Sequence, residues 1–126
     1  MKEELNVVKF ELPLHLDGEG GFEYNNQSWD NSTLYTACRN LPEFDYPLCA
    51  IDMSGKPWTL SNFRWILYHI DRINKSKLDY PIILTPDGII CDGWHRISKA
   101  ILEGKTTIRA VRLLSMPESD RNLPTT

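Results

Sequence analysis

Cysteine is scarce in this chain: three residues in 126, at positions 38, 49 and 91. No two of them form a C-x-x-C pair, which argues against a zinc ribbon or a disulfide framework. Free thiols in a reducing cytosol are the simplest reading, so a cytoplasmic protein is expected. Long apolar runs are missing too. The longest are four or five residues, far short of the ~20 that cross a bilayer, and no membrane partner is expected. The start, Met1-Lys2-Glu3-Glu4, has no apolar stretch of the kind found in a secretory leader. Nor is there a surplus of positive charge. Fourteen Lys and Arg stand against seventeen Asp and Glu, for a net charge of −3. General nucleic-acid binding draws on counterion release by clustered cations, so the acidic balance disfavours DNA as a partner. No internal repeat and no low-complexity tract is present.

What remains is an ordinary globular composition, 41% hydrophobic and 25% charged. A chain of this length buries enough surface to hold one core without staples. Residues 5–12 have strand character. Residues 13–32 are rich in Gly, Asn and acids and are expected to be loop. Ser32 or Thr33 is placed to cap a short helix ending near Arg39. Pro42 and Pro47 follow, and Leu48 to Met53 is expected to be a short strand. Ser61 caps a helix to Lys75 whose apolar positions, Phe63, Ile66, Leu67, Ile70 and Ile73, predict one buried face. Two β-branched runs, Ile82–Leu84 and Ile89–Ile90, flank Thr85-Pro86-Asp87-Gly88, and together they predict a hairpin. A helix from Trp94 to about Glu103 follows, stopped by Gly104, with Ile97, Ala100 and Ile101 as its core face. Thr106 to Leu113 predicts a last strand. The tail from Ser115 is expected to fray.

The chemistry concentrates in Asp92-Gly93-Trp94-His95-Arg96. A strand ends, a glycine follows, and a helix opens with His and Arg in its first turn. The first helical N–H groups lack intrahelical partners, and the dipole adds partial positive charge there. Such an end receives anions, phosphate above all. Gly93 permits close approach to the backbone. His95 and Arg96 offer charge-assisted hydrogen bonds to phosphate oxygens. Asp92 either caps the helix or acts on a ligand hydroxyl. Two cations at a helix N-terminus run against the usual acidic preference, a local conflict of the kind a functional site creates.

From Pro81 to Leu113 the sequence resembles the ParB/sulfiredoxin superfamily. Members carry a strand-turn-strand, a D-G-x-H-R-like signature opening a helix, a glycine and a closing strand. The preceding helix, residues 61–75, fits the same layout, and the likeness covers roughly residues 47–113. It implies an α+β fold, a mixed sheet with packed helices. The chain then divides into an N-terminal extension (1–46, a lid or partner surface, with Trp29, Tyr35 and Phe44), the domain itself (47–114) and the tail (115–126). It also implies binding of a nucleoside triphosphate or diphosphate, ATP foremost, with magnesium.

Within that superfamily, sulfiredoxins place a catalytic Cys directly before the His-Arg pair, where this chain has Trp94. Partition proteins carry a G-E-R-R-like motif and a DNA-binding helix-turn-helix, for which residues 114–126 leave no room. The free-serine-kinase branch has D-G-x-H-R, which residues 92–96 match. This likeness implies a phosphotransferase acting on a small hydroxyl acceptor, with Asp92 activating the hydroxyl and His95 beside the transferred phosphate. That branch also uses a glutamate near the first domain strand. Asp45 and Asp52 lie nearby here, and Glu43 falls before Pro47. The nucleotide set is Gly93, Trp94, His95 and Arg96, joined by Lys99 one turn on and by Arg64 and Arg72 from the preceding helix. Each has a plainer reading: a core role for Trp94, solvated charges for Lys99, Arg64 and Arg72. Ser54-Gly55-Lys56-Pro57 lacks the spacing of a P-loop. Two alternative functions stay open at this point: a DNA-associated ParB-like accessory protein or nuclease, and a non-catalytic protein-interaction module.

Overall fold

A computed structural model describes residues 21–124; the strand expected at 5–12 lies outside the described residues. The chain begins with a hairpin where loop was expected. Strands β1 (Gly21–Tyr24) and β2 (Gln27–Asp30) pair antiparallel. Asn25 and Asn26, both at positive φ (51° and 61°), form the two-residue turn between them. That turn twists with the strands, and Asn tolerates its left-handed backbone. Phe22 lies opposite Trp29, the rings 5.7 Å apart. Glycine-rich composition alone hid this pairing.

Helix α1 (Asn31–Cys38) follows directly. Asp30 is its N-cap residue, not Ser32 or Thr33, and its start is braced by a residue distant in sequence. The Asp120 carboxylate accepts from the Asp30 N–H at 2.8 Å and from the Thr33 hydroxyl at 3.0 Å. Arg121 in turn pairs with Asp30. Residues 117–123, within the tail expected to fray, are therefore held. Its strand (Arg121–Asn122, the last of the chain) adds to β2, and the Trp29 indole N–H donates to the Pro117 carbonyl at 2.8 Å.

The second sheet is mixed. Strand β3 (Phe44–Pro47) pairs antiparallel with β6 (Thr107–Arg112), and β6 runs parallel to β4 (Ile82–Leu84). Strand β4 in turn pairs antiparallel with β5 (Ile90–Asp92). The first strand of this half thus lies before the expected 48–53, because Pro47 is tolerated on an edge. Leu48–Ala50 instead closes a 3-10 turn that still buries Leu48 and Ile51. The hairpin at 82–92 forms as predicted, its turn fixed by Gly88 at φ +89° and by the Thr85 hydroxyl, which accepts from the Ile89 N–H.

Both faces of this sheet are covered, which is why β4 is an unbroken buried run; such runs mark strands packed on two sides. Ile82, Leu84, Ile90, Ile108 and Ala110 face α3 (Trp94–Leu102) through Ile97 and Ala100. Ile83, Cys91, Val111 and Leu113 face the other way, onto Trp29 and Leu34. Segment 21–41 is thus a layer of the core. Together these features make an α+β domain of three helices and two sheets among the described residues. No helix among them is long and apolar enough to cross a membrane.

Helix α2 (Phe63–Lys75) departs most from expectation. Asn62 caps it, accepting from the Trp65 N–H at 3.2 Å, in place of Ser61. Its buried residues are Tyr68 and His69, whereas Phe63 and Ile70 are 69% and 47% exposed. The sheet face is already filled by α3 and the Leu48–Ile51 turn, so α2 packs on α3 instead. Ile101 of α3 is likewise 41% exposed, outside the core face assigned to it. Helix α3 stops where predicted. Gly104 at φ +76° sits in a Schellman arrangement, with Lys105 N–H donating to Ala100 O and Gly104 N–H to Ile101 O.

Leu34 is fully buried. Leu34→Ala is expected to cost roughly 2–5 kcal/mol in chemical denaturation, as for other buried leucines. A loss below about 0.5 kcal/mol, the scale of a surface change, would show that the 21–41 layer is not part of the cooperative core.

Candidate functional site

The site forms where β5 ends and α3 begins. Gly93 joins them as the helix N-cap, at φ +118° and ψ 16°. A β-carbon there would lie 2.4 Å from the Ile82 Cγ2 and 3.1 Å from an Arg96 Nη. The glycine therefore meets two demands: a left-handed backbone, and a close approach to β4. Asp92, expected as a cap, makes no capping bond. It is drawn off by Arg96, whose Nη2 lies 2.7 Å from the Asp92 Oδ2. Both side chains are largely buried, 19% and 16% exposed respectively.

The first helical bond runs from Ile97 N–H to Gly93 O. The N–H groups of Trp94, His95 and Arg96 thus precede the intrahelical ladder, and no side chain caps them. The Arg96 guanidinium lies across this end with its Nε buried and unbonded. A buried donor left without an acceptor costs ~1–3 kcal/mol, more when charged.

Beside it, a second cluster holds His95. The His95 Nε2 and His69 Nδ1 are 2.9 Å apart. Their ring planes lie within 17°, with centroids 5.1 Å apart, so the imidazoles meet edge to edge. Trp58, from the irregular segment before α2, lies flat over both, at 4.2 Å from His69 and 4.4 Å from His95. Burial first, then the neighbouring His69, Arg72 and Arg96, push the His95 imidazole down to about 4. At neutral pH His95 is uncharged, which removes the conflict of an imidazolium with the helix dipole.

The remaining predicted residues divide. Arg72 acts on His95 by charge and lies 5.9 Å from the Tyr68 ring centroid, in cation-π range. Arg64 stands on the exposed first turn of α2 and is not among the charges that lower the His95 pKa. Trp94 packs against the core as a wall. Lys99 stands apart from the start of α3. Its ammonium donates to Ser76 O at 2.7 Å and Asn74 O at 3.2 Å, at the end of α2. Cations are favoured at such C-termini.

Two neighbours escaped the sequence reading, Trp58 and His69; a third, Tyr35, was expected only as part of a lid or partner surface. Trp58 has no periodic context, and His69 was passed over inside an aliphatic stripe. Tyr35 of α1 is 51% exposed and faces Asp92. Burial, then the Asp92 charge and hydrogen bond, raise its phenol pKa against opposing pulls from Arg96 and Arg72. Cys91, beneath, is pushed up to about 12, by burial first and then by Cys38 and Asp92; such a thiol is a poor nucleophile. No group of three His, Cys, Asp or Glu among the described residues is placed to hold a metal ion.

Comparison with known proteins adds nothing to this geometry: no family model, no curated protein and no solved structure matches the chain.

Two outcomes are expected. Gly93→Ala puts a methyl into Ile82 at positive φ and is expected to destabilise the fold by about 2 kcal/mol or more, measured by denaturant midpoint. An unchanged midpoint would mean that the β5–α3 junction relaxes freely. The His95 pKa lies below the ordinary 6.5, so the unfolded chain binds the proton more readily. Its contribution to stability is full above pH 6.5 and is lost as pH falls towards 4. After discounting for solvent screening of a half-buried ring, this is about 1 kcal/mol. His95→Gln should flatten that part of the pH–stability curve; a curve with the same slope would assign it elsewhere.

Proposed function

We propose that the start of α3 binds the phosphates of a nucleotide. ATP carrying magnesium is the ligand that the ParB/sulfiredoxin resemblance implies. The observation that carries this reading is the uncapped helix end crossed by the Arg96 guanidinium, whose buried Nε lacks an acceptor. Phosphate oxygens supply what these donors lack. Arg72 adds positive charge from α2. Trp94 forms the wall. Lys99 and Arg64 are left out of the set. Magnesium would come with the phosphates, which supply much of its coordination shell in such sites.

In this reading the Asp92 carboxylate is the protein's own counter-ion. It holds Arg96 until phosphate takes that role, and is then free to accept a proton from an acceptor hydroxyl. Phosphoryl transfer to a small hydroxyl compound is the reaction this exchange serves. Arg96 offsets charge on the transferred group, and the neutral His95 donates a hydrogen bond to it. A reducing cytosol suits the free thiols Cys38, Cys49 and Cys91.

A thermal-shift series with ATP, ADP, CTP and GTP, each with and without magnesium, tests the binding step. A ligand at 100 times its dissociation constant stabilises by ~2.7 kcal/mol, so one nucleotide should raise the melting temperature clearly. Arg96→Ala should lose the shift. Asp92→Asn removes the competing anion and should bind the same nucleotide about tenfold more tightly, a gain of ~1.4 kcal/mol, while losing transfer. No shift with any nucleotide, or weaker binding by Asp92→Asn, would contradict the reading.

A further inference from the structure

The two imidazoles share one line of contact. With the His69 Nδ1 and the His95 Nε2 only 2.9 Å apart in nearly one plane, a single proton lies between them. If both nitrogens carried protons, two N–H groups would collide; if neither did, two lone pairs would. One ring must donate and the other accept. The contact therefore couples the tautomers of the two rings, and it uses up the Nε2 of His95. Any hydrogen bond from His95 to a ligand must come from its Nδ1.

Only one of the two arrangements makes His95 useful to an anion. If His95 donates from Nε2, a neutral ring offers phosphate a lone pair, which repels it. If His69 donates, the His95 proton sits on Nδ1 and the neutral ring is a hydrogen-bond donor. The surroundings keep the ring neutral: burial, Arg72 from α2, Arg96 from its own helix and His69 all lower its pKa. A neutral donor binds an anion without opposing the helix dipole beforehand. The second nitrogen of such a histidine sets what the first can do. His69 is 2% exposed, and Trp58 lies flat over both rings, so water does not compete readily for the shared proton.

We propose that His69 is a positioning residue for the candidate site. It donates from Nδ1 to the Nε2 of His95, so that the His95 proton sits on Nδ1 and a neutral imidazole donates to a phosphate oxygen of the ligand. Trp58 clamps the pair in plane. The inference rests on the nucleotide reading above and gives its histidine a defined protonation state.

Imidazole ¹⁵N–¹H spectra of the full chain, with and without magnesium ATP, test it beside ATP affinity. Wild type should show His95 as a single tautomer with its proton on Nδ1. His69→Phe keeps a ring beneath Trp58 but removes the nitrogen. It should leave His95 a mixture of tautomers and weaken ATP binding about tenfold, as the loss of one hydrogen bond to a charged ligand would. His69→Asn offers an amide donor near the Nδ1 position and should restore both. A wild-type His95 protonated on Nε2 would overturn the inference, and that is readable without ligand even if the phenylalanine variant does not fold. So would a folded His69→Phe with unchanged spectra and affinity. If wild type binds no ATP, the nucleotide reading fails and the donor role towards phosphate fails with it. Intact wild-type binding that ignores His69 sinks the positioning role alone.

Discussion

The approach of Gly93 to Ile82 is the constraint on which the site depends. Only a residue without a β-carbon can take a left-handed backbone while lying against β4. That turn sends the chain from β5 straight into α3. Asp92 is thereby left on one side of the junction and His95 and Arg96 on the other, four residues closing an ion pair across the turn. A buried ion pair is weak evidence for stability, because desolvation offsets much of the attraction. Its value here is to hold an arginine at a helix start that has no cap of its own.

The rest of the fold supports that junction from two sides. Beneath it, β4 and β6 present apolar side chains to both faces of the sheet, and each face has its own cover. One cover is α3 itself. The other is the 21–41 layer, tied down by strand pairing and hydrogen bonds from residues 117–122. That layer also brings Tyr35 and Cys38 beside Asp92. Above the junction, α2 contributes no residue to either core cluster. It brings His69 and Arg72 to the α3 start instead, and Lys99 of α3 locks its far end.

Local signals were legible in the sequence wherever the structure is local. The turn Thr85–Gly88, the stop at Gly104 and the buried spacing of Ile97 and Ala100 all follow from short-range chemistry, and so does the Asp92–Arg96 segment as a helix start. The failures are tertiary. Gln27 pairs with Asn122 and Asp120 braces the start of α1, partners some ninety residues away that no local pattern reveals. The α2 stripe obeyed helical periodicity but met a sheet already covered, so Phe63 stayed outside and His69 went in. Asp92 has a capping side chain, yet a charged partner one turn on outcompeted the backbone N–H groups. Trp58 lies in irregular chain, where no period exists to mark it.

The claim that a nucleotide's phosphates sit on the α3 N-terminus is tested most directly by amide mapping during a titration with magnesium ATP. Saturable shifts are expected, concentrated on the backbone N–H groups of Trp94, His95 and Arg96 and on the Arg96 Nε–H, with smaller changes at His69 and Tyr35. Shifts centred elsewhere, or none up to millimolar nucleotide, would contradict it and leave the Asp92–Arg96 turn as a structural junction only.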